Sequence, residues 1–390
     1  MIKKFSVKNF KAFEKKVTLD FSAVGSYEFN RESISKNNIC KTAILYGKNA
    51  GGKSSICFAM FDIVNVLTDN YYSQPSYRSY KNILHQDEDT EFEYEFKFDN
   101  DEVVYKYSKS DIDTLVSESL QINQKRIFSY NKKEVAKEID INLDGAQTLK
   151  IASDKLDFSL CRFIKNNAIL AENAENTVFK KFYDFVTKML MFWSLEYRSF
   201  IGFKVKPNEN ILNAIIENNN FENLKKFFSD AGYEDKLAYK KNDSGEYNLF
   251  LQYEDKYIDF FVAASNGMKS MLLTYYWLEN CLEKEKCPSL ICIDEFDAFF
   301  HFELSAFIVK KLKNYNIQVL LTSHNTYNFT NDLLRPDCYY ICSKDKIVNA
   351  NKATDKELRQ GHNLEKLYRG GAFSSWYYSF LKVKKESLQF

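Results

Sequence analysis

The chain has 390 residues, 45% of them hydrophobic and 16% aromatic, so it can bury a sizeable core and is not a disordered protein. Its formal net charge of +1 argues against attachment to nucleic acid by bulk charge, although it leaves room for a local basic patch. No apolar run approaches the roughly 18 residues of a membrane-spanning helix, and the 8 cysteines include no C-x-x-C pair, so we expect a cytoplasmic protein with reduced thiols and no membrane partner.

The first part of the chain reads as strands around one helix. Alternating apolar residues predict most of the strands, and spacing of three and four predicts the helix. The predicted elements are a hairpin over residues 2–22, a loop to 40, a buried strand at 43–46, a helix at 53–68, a hairpin at 92–107 and short strands to about 152. We group residues 1–165 as an N-terminal lobe with an antiparallel β layer.

The middle of the chain is predicted to be helical. Helical patterns run from 166 to 195, including the apolar run 189–193, and again over 209–230. We therefore predict a helical insertion over 166–245, and because it has no sustained heptads, no long coiled coil.

Strand and helix patterns alternate again in the last part of the chain. The predicted elements are strands at 247–263, a helix opening at 265, a strand at 290–295, a helix at about 302–314 and strands at 318–322 and 338–342. These form a C-terminal lobe over 246–350, followed by a tail over 351–390.

A glycine-rich stretch between the buried strand and the first helix fits the pattern G-x-x-x-x-G-K-[ST]. Glycines let backbone N–H groups turn towards phosphate oxygens, the lysine supplies a mobile positive charge, and the hydroxyl can bind Mg²⁺. The alternative, a glycine-rich turn without a ligand, does not explain the strand, turn and helix around it. The residues predicted to hold the nucleotide are Gly47, Lys48, Asn49, Ala50, Gly51, Gly52, Lys53, Ser54 and Ser55.

Two acids and a histidine follow apolar strands of the C-terminal lobe. Asp294 and Glu295 end one strand and His324 ends another, so all three are expected at the sheet edge where α/β proteins bind ligands. One acid there can hold Mg²⁺ and the next can activate water. The alternatives are surface acids and a structural histidine. Ser265 and Gly267 begin a helix and form either an anion site or an ordinary N-cap.

These motifs, in this order, resemble those of ABC-type ATPases. The opening residues 7–13 look like the RecF/SMC/OLD branch, and residues 294–301 and 361–371 are similar to the stand-alone AAA-type ATPases of bacterial anti-phage defence loci, of the AbiL/RloA type. The resemblance implies an α/β P-loop NTPase fold of ABC type, with a mixed central sheet, an antiparallel β layer, a helical insertion and no long coiled coil.

The resemblance also implies a role for each motif. ATP and Mg²⁺ would be the cofactors, with Ser54 and Asp294 at the metal and Lys53, Glu295 and His324 as the catalytic residues. Ser265 and Gly267 would be the signature motif and Asp297 the D-loop acid, and two subunits would enclose two ATP molecules. Ser265-Asn266-Gly267-Met268 departs from the usual Ser-Gly-Gly-Gln, which leaves the strength of dimerisation open. Gln86 is a candidate for the Mg²⁺-sensing glutamine, with an ordinary loop residue as the alternative.

The tail carries no recognisable nuclease motif, so we expect the chain to hydrolyse ATP and to cut nothing itself. Within the family this implies a separately encoded effector, with a nuclease as the expected class. Our hypothesis is a slow, dimer-dependent ATPase that acts as a switch in antiviral (abortive infection) defence, as a homodimer or higher oligomer.

The alternative is a RecF/SMC-like repair ATPase that binds DNA. Its surface would use Lys180, Lys181, Lys225 and Lys226, which could equally be solvated helix faces. A transporter motor subunit is disfavoured by the signature and by the opening residues.

Overall fold

The computed structural model describes residues 1–68, 80–194, 199–203, 210–280 and 287–373. The strands are β1 Ile2–Lys8, β2 Val17–Asp20, β3 Thr42–Tyr46, β4 Thr90–Phe98, β5 Asp101–Asp111, β6 Thr114–Ile122, β7 Lys125–Asn131, β8 Met189–Ser194, β9 Ser199–Gly202, β10 Lys236–Lys241, β11 Tyr247–Tyr253, β12 Lys256–Asp259, β13 Leu290–Ile293, β14 Gln318–Ser323, β15 Tyr339–Cys342 and β16 Ile347–Asn349. The helices are α1 Lys53–Leu67, α2 Leu160–Asn167, α3 Ala174–Thr187, α4 Ile211–Glu217, α5 Phe221–Asp230, α6 Phe260–Ala263, α7 Asn266–Asn280, α8 Phe302–Leu312 and α9 Leu364–Arg369.

A mixed seven-stranded sheet forms the centre of the molecule, in the order β16-β15-β3-β14-β13-β8-β9. Strands β15, β3, β14, β13 and β8 run parallel, and the edge strands β16 and β9 are antiparallel to their neighbours. Every residue of β3, β13 and β14 is buried, which explains why these strands read as continuous apolar runs. The predicted mixed central sheet is confirmed.

The predicted antiparallel layer is also confirmed, as a six-stranded sheet in the order β2-β1-β4-β5-β6-β7. Its inner face carries stacked rings, including Phe92 on Tyr107 and Tyr94 on Phe96. Phe182 of α3 packs edge-on against Phe96 of this face.

A buried ion pair joins this layer to the helix that follows the glycine-rich stretch. The ammonium of Lys109 on β5 lies 3.0 Å from an oxygen of Asp62 on α1, and the Tyr107 hydroxyl donates to the same carboxylate at 2.8 Å. The side chains of Asp62 and Lys109 are 0% and 3% exposed. The pair links α1 to β5, and because both charges are buried, loss of either partner would leave the other uncompensated.

The predicted helical pattern is wrong in its last part, because residues 189–194 form strand β8. This strand pairs in parallel with β13 inside the central sheet. A short, uniformly apolar run has no periodicity that separates a buried strand from a buried helix, and here α3 ends at Thr187, just before it.

The rest of the insertion contains the predicted helices α4 and α5 and the strand β10. β10 pairs with the predicted strands that follow it, in a three-stranded sheet of order β10-β11-β12, and the last part of the predicted strand segment, 260–263, is the short helix α6 instead. No helix in the described ranges exceeds 15 residues, so these ranges contain no long coiled coil, as the fold class predicted. Nor is any of them long and apolar enough to cross a membrane. The lobe boundaries drawn from the sequence stay predictions.

Helix α9 packs beside the loop that follows β14. The Thr326 hydroxyl donates to Glu365 at 3.1 Å, and Nε of Arg369 donates to the same hydroxyl at 3.1 Å. The ring of Tyr368 lies 5.4 Å from that of Phe329 and 6.0 Å from that of Tyr46 at the end of β3. Part of the predicted tail is therefore integral to the core.

Candidate nucleotide-binding site

The glycine-rich stretch forms a tight loop between β3 and α1, with Lys53 as the first residue of the helix. A Cβ on Gly47 would lie 2.6 Å from the carbonyl oxygen of Cys342 on β15, and one on Gly52, at φ +104°, would lie 2.7 Å from the Phe13 ring. Backbone conformation and close neighbours therefore both demand glycine in this loop. It opens a 15-residue helix, whose N-terminus favours anions.

An open cleft of about 820 Å³ lies over the loop. It is lined by Ala12, Asn49, Ala50, Gly51, Gly52, Lys53, Ser54, Ser55, Glu295, His324 and Lys344. The structure thus brings most of the predicted phosphate loop together with two of the predicted catalytic residues, which come from strands about 240 and 270 residues further along the chain. Two lining residues, Ala12 and Lys344, were not predicted.

Lys53 lies inside the loop. Its ammonium donates to the carbonyl oxygens of Gly47 at 2.9 Å and Lys48 at 3.3 Å, and lies 3.4 Å from Nδ1 of His324. Burial lowers the pKa of Lys53, and the nearby Cys342 and Asp294 partly oppose this. A buried ammonium that also lines the cleft is suited to bind a phosphate oxygen.

Asp294 lies beneath the cleft, where one buried hydroxyl holds both strand-end acids in place. The Thr322 hydroxyl donates to Asp294 Oδ1 at 2.5 Å and accepts the backbone N–H of Glu295 at 2.8 Å. Burial raises the pKa of Asp294, and hydrogen bonds from Thr322 and Ser54 partly offset that rise. The sequence analysis did not assign Thr322 a role, because a threonine at the end of a buried strand carries no signal of its own.

Asp294 and Ser54 are the two residues predicted to hold Mg²⁺, and their donor atoms can be compared with what this ion requires. Both offer hard oxygen donors, the ligand type that Mg²⁺ prefers, and the Ser54 hydroxyl is near enough to Asp294 to lower the pKa of its carboxyl. The residues present therefore fit the predicted ion, which when bound with a nucleotide neutralises phosphate charge.

Glu295 points into the cleft from a strained backbone. Its φ is +49°, in the left-handed region that residues with a side chain rarely adopt, and its carboxylate is 58% exposed. An oxygen of Glu295 lies 3.9 Å from Nε2 of His324. Strain of this kind clusters at functional sites, and here it turns the side chain from the strand towards solvent in the cleft.

The predicted signature and D-loop residues lie outside the cleft of their own chain. The Ser265 hydroxyl accepts the Met268 N–H at 3.2 Å, and a Cβ on the buried Gly267 would lie 3.0 Å from the Phe299 carbonyl oxygen. Asp297 accepts hydrogen bonds at 2.5 Å and 3.3 Å from neighbouring side chains, and burial raises its pKa. Their roles in nucleotide binding stay predictions.

Two further candidates also lie away from the cleft. The Gln86 amide donates to the Asn82 carbonyl at 2.6 Å, and Gln86 does not line the cleft. Both observations favour an ordinary loop residue over a Mg²⁺-sensing glutamine. Three of the four lysines proposed for DNA contact acids: the pairs are Lys181 with Asp99, Lys225 with Glu222 and Lys226 with Asp230, at 3.7, 2.6 and 2.8 Å. These ion pairs favour the interpretation of the lysines as parts of solvated helix faces over a role in DNA contact.

A family model described as "AAA domain, putative AbiEii toxin, Type IV TA system" matches residues 43–328. The match covers more than half of the chain, so the chain belongs to this family, which confirms the predicted AAA-type ATPase and implies nucleotide binding. No curated protein sequence matches the chain significantly.

Several solved structures are similar in fold at low sequence identity. An SMC head bound to the C-terminal winged-helix domain of ScpA is 14% identical, covering 90% of this chain and 99% of that chain with a TM-score of 0.49. The SMC head domain from Thermotoga maritima is 12% identical, covering 89% and 98% with a TM-score of 0.42. The recombination mediator RecF with ATP is 13% identical, covering 90% and 99% with a TM-score of 0.40. At these TM-scores the likenesses carry no argument about function.

Proposed function

We propose that this AAA-family chain binds and hydrolyses ATP with Mg²⁺, and that the nucleotide cycle gates a separately encoded effector in bacterial antiviral defence. The observation that carries the proposal is the single cleft that holds the phosphate loop, Glu295 and His324 above the buried Asp294. In it Lys53 and the loop N–H groups would bind the phosphates. Glu295 would accept a proton from the attacking water, and His324 would hydrogen-bond the γ-phosphate.

The proposed homodimer is supported by the position of the predicted signature residues. Ser265 and Gly267 do not line the cleft of their own chain, so a second chain would have to bring its own pair to a bound nucleotide. Hydrolysis would then depend on assembly and be slow in the isolated chain. The ATP-bound state would be the dimer.

The defence role is supported by the family description, which names a toxin of a toxin–antitoxin system. The damaging activity is proposed to belong to a separately encoded partner protein, with a nuclease as the expected class. The proposed site of action is the cytoplasm. DNA binding is the competing possibility, and the paired lysines do not favour it.

Hydrolysis and assembly of the purified full chain test the ATPase part. Lys53→Ala should abolish ATP binding. Glu295→Gln should bind ATP, hydrolyse it at least about 100-fold more slowly because water activation fails, and accumulate as a dimer in mass photometry. Glu303→Gln is the matched control: Glu303 is an exposed acid at the start of α8, 76% exposed, and should leave the rate unchanged.

A wild-type rate for Glu295→Gln would refute the assignment of the base. Duplex DNA added to the same experiment separates the two functions, because a dimer that forms only with DNA would favour the repair ATPase. Phage plating on cells that carry the native locus tests the defence role. Equal sensitivity with wild-type protein and Lys53→Ala would contradict it.

A further inference from the structure

We propose that Lys344 is a second phosphate-binding cation of the cleft and contacts the α-phosphate end of ATP or ADP. The proposal rests on the proposed nucleotide site and adds a residue that no sequence motif marks. Lys344 is exposed and lines the same cleft as Lys53, from a segment nearly 300 residues further along the chain.

The backbone that carries Lys344 is fixed against the phosphate loop. Cys342 ends β15, and its carbonyl oxygen lies where a Cβ on Gly47 would have to go. The Cys342 thiol donates to the Gly51 carbonyl at 3.4 Å. The turn beyond it is closed by the Ser343 N–H, which donates to the Lys346 carbonyl at 2.9 Å. Lys344 thus follows two residues after a direct contact with the loop.

The charges of the cleft leave a place for a second cation. A triphosphate with Mg²⁺ keeps a net charge of about −2, and the charged residues that line the cleft are Lys53, Lys344 and Glu295. Glu295 repels phosphate, and Lys53 supplies one positive charge. An exposed lysine that lines the cleft can approach a phosphate oxygen without first leaving a buried position.

The strand order indicates which phosphate Lys344 reaches. β14 and β13, which precede His324 and Glu295, lie on one side of β3, and β15 lies on the other. The γ-phosphate is assigned to the side of Glu295 and His324. Lys344 therefore approaches from the opposite side of the loop, towards the α-phosphate, which ATP and ADP share.

The test is calorimetric binding of MgATP and MgADP to Lys344→Ala, Lys344→Arg and Lys346→Ala. Lys344→Ala should raise both dissociation constants about tenfold, as expected for the loss of one charged hydrogen bond, and Lys344→Arg should restore most of the affinity. Lys346→Ala removes the same charge from the same turn, but Lys346 does not line the cleft, so its affinities should equal those of the wild type.

Wild-type affinities for Lys344→Ala would overturn the proposal. A loss for ATP with none for ADP would overturn the assignment to the α-phosphate. An equal loss in Lys346→Ala would show that the effect is general surface charge and would also overturn it. Failure of the proposed function looks different, because the wild-type protein itself would then bind no nucleotide, or Lys53→Ala would bind it normally.

Discussion

Thr322→Val removes one hydroxyl and leaves the shape of a fully buried side chain almost unchanged. In the native protein that hydroxyl donates to Asp294 at 2.5 Å and accepts the Glu295 N–H at 2.8 Å. The substitution therefore deprives both proposed site acids of the same partner. No comparable cavity is created, so the loss of hydrogen bonds can be measured by itself.

Two physical effects set the expected size. A buried donor or acceptor left without its partner costs about 1–3 kcal/mol, so we expect the free energy of unfolding to fall by about 2–4 kcal/mol. Glu295 also loses the bond that holds its backbone at φ +49°. A catalytic group displaced by about 1 Å can lose about 100-fold in rate, so kcat should fall by that order, while ATP binding through the loop persists.

The assay is steady-state ATP hydrolysis together with urea denaturation and nucleotide binding. Thr322→Ser is the matched control, because it keeps the hydroxyl and should retain most of the wild-type rate. A Thr322→Val protein with both wild-type stability and wild-type kcat would refute the positioning role. A fall in stability with an unchanged kcat would show that the bond supports the fold and not the chemistry.

Two other substitutions probe the surroundings of the loop. Gly47→Ala places a Cβ 2.6 Å from a backbone oxygen, so it should displace the loop, destabilise the protein by about 1–3 kcal/mol and weaken ATP binding; Gly361→Ala meets nothing within 4 Å and should change neither in the same assays. Asp62→Ala removes the partner of the buried Lys109 ammonium and leaves that charge uncompensated. It should therefore lower the free energy of unfolding by about 3–5 kcal/mol. Adding Lys109→Met should recover part of that loss in urea denaturation, and no recovery would contradict the role of the stranded charge.

Much of the fold could be predicted because its signals are local. The glycines and Lys53 act within one strand, turn and helix, and the alternation in β4 and β5 lies within a single hairpin. Strand β8 could not be predicted, because a short run in which every residue is apolar has no periodicity that separates a strand from a helix. Its pairing partner β13 also lies about 100 residues away in the sequence.

The parts of the candidate site that were missed depend on distant contacts. Thr322 has its role because β14 lies beside β13, and Lys344 because β15 lies beside β3. A threonine at the end of a strand and a lysine in a turn have many ordinary reasons to be there. Their positions near the loop arise from the sheet order, which no short pattern contains.

The strand order has a consequence for how the chain acquires its structure during synthesis. Strand β3 emerges early, yet its two neighbours, β14 and β15, lie nearly 300 residues later. Neighbouring strands of the six-stranded antiparallel sheet are much closer in sequence for the most part, so that sheet is expected to form first. The strand before the phosphate loop, β3, would then lack both of its neighbouring strands until the last quarter of the chain leaves the ribosome. A nascent chain released before β14 would expose an apolar strand with neither neighbour, a species prone to aggregation.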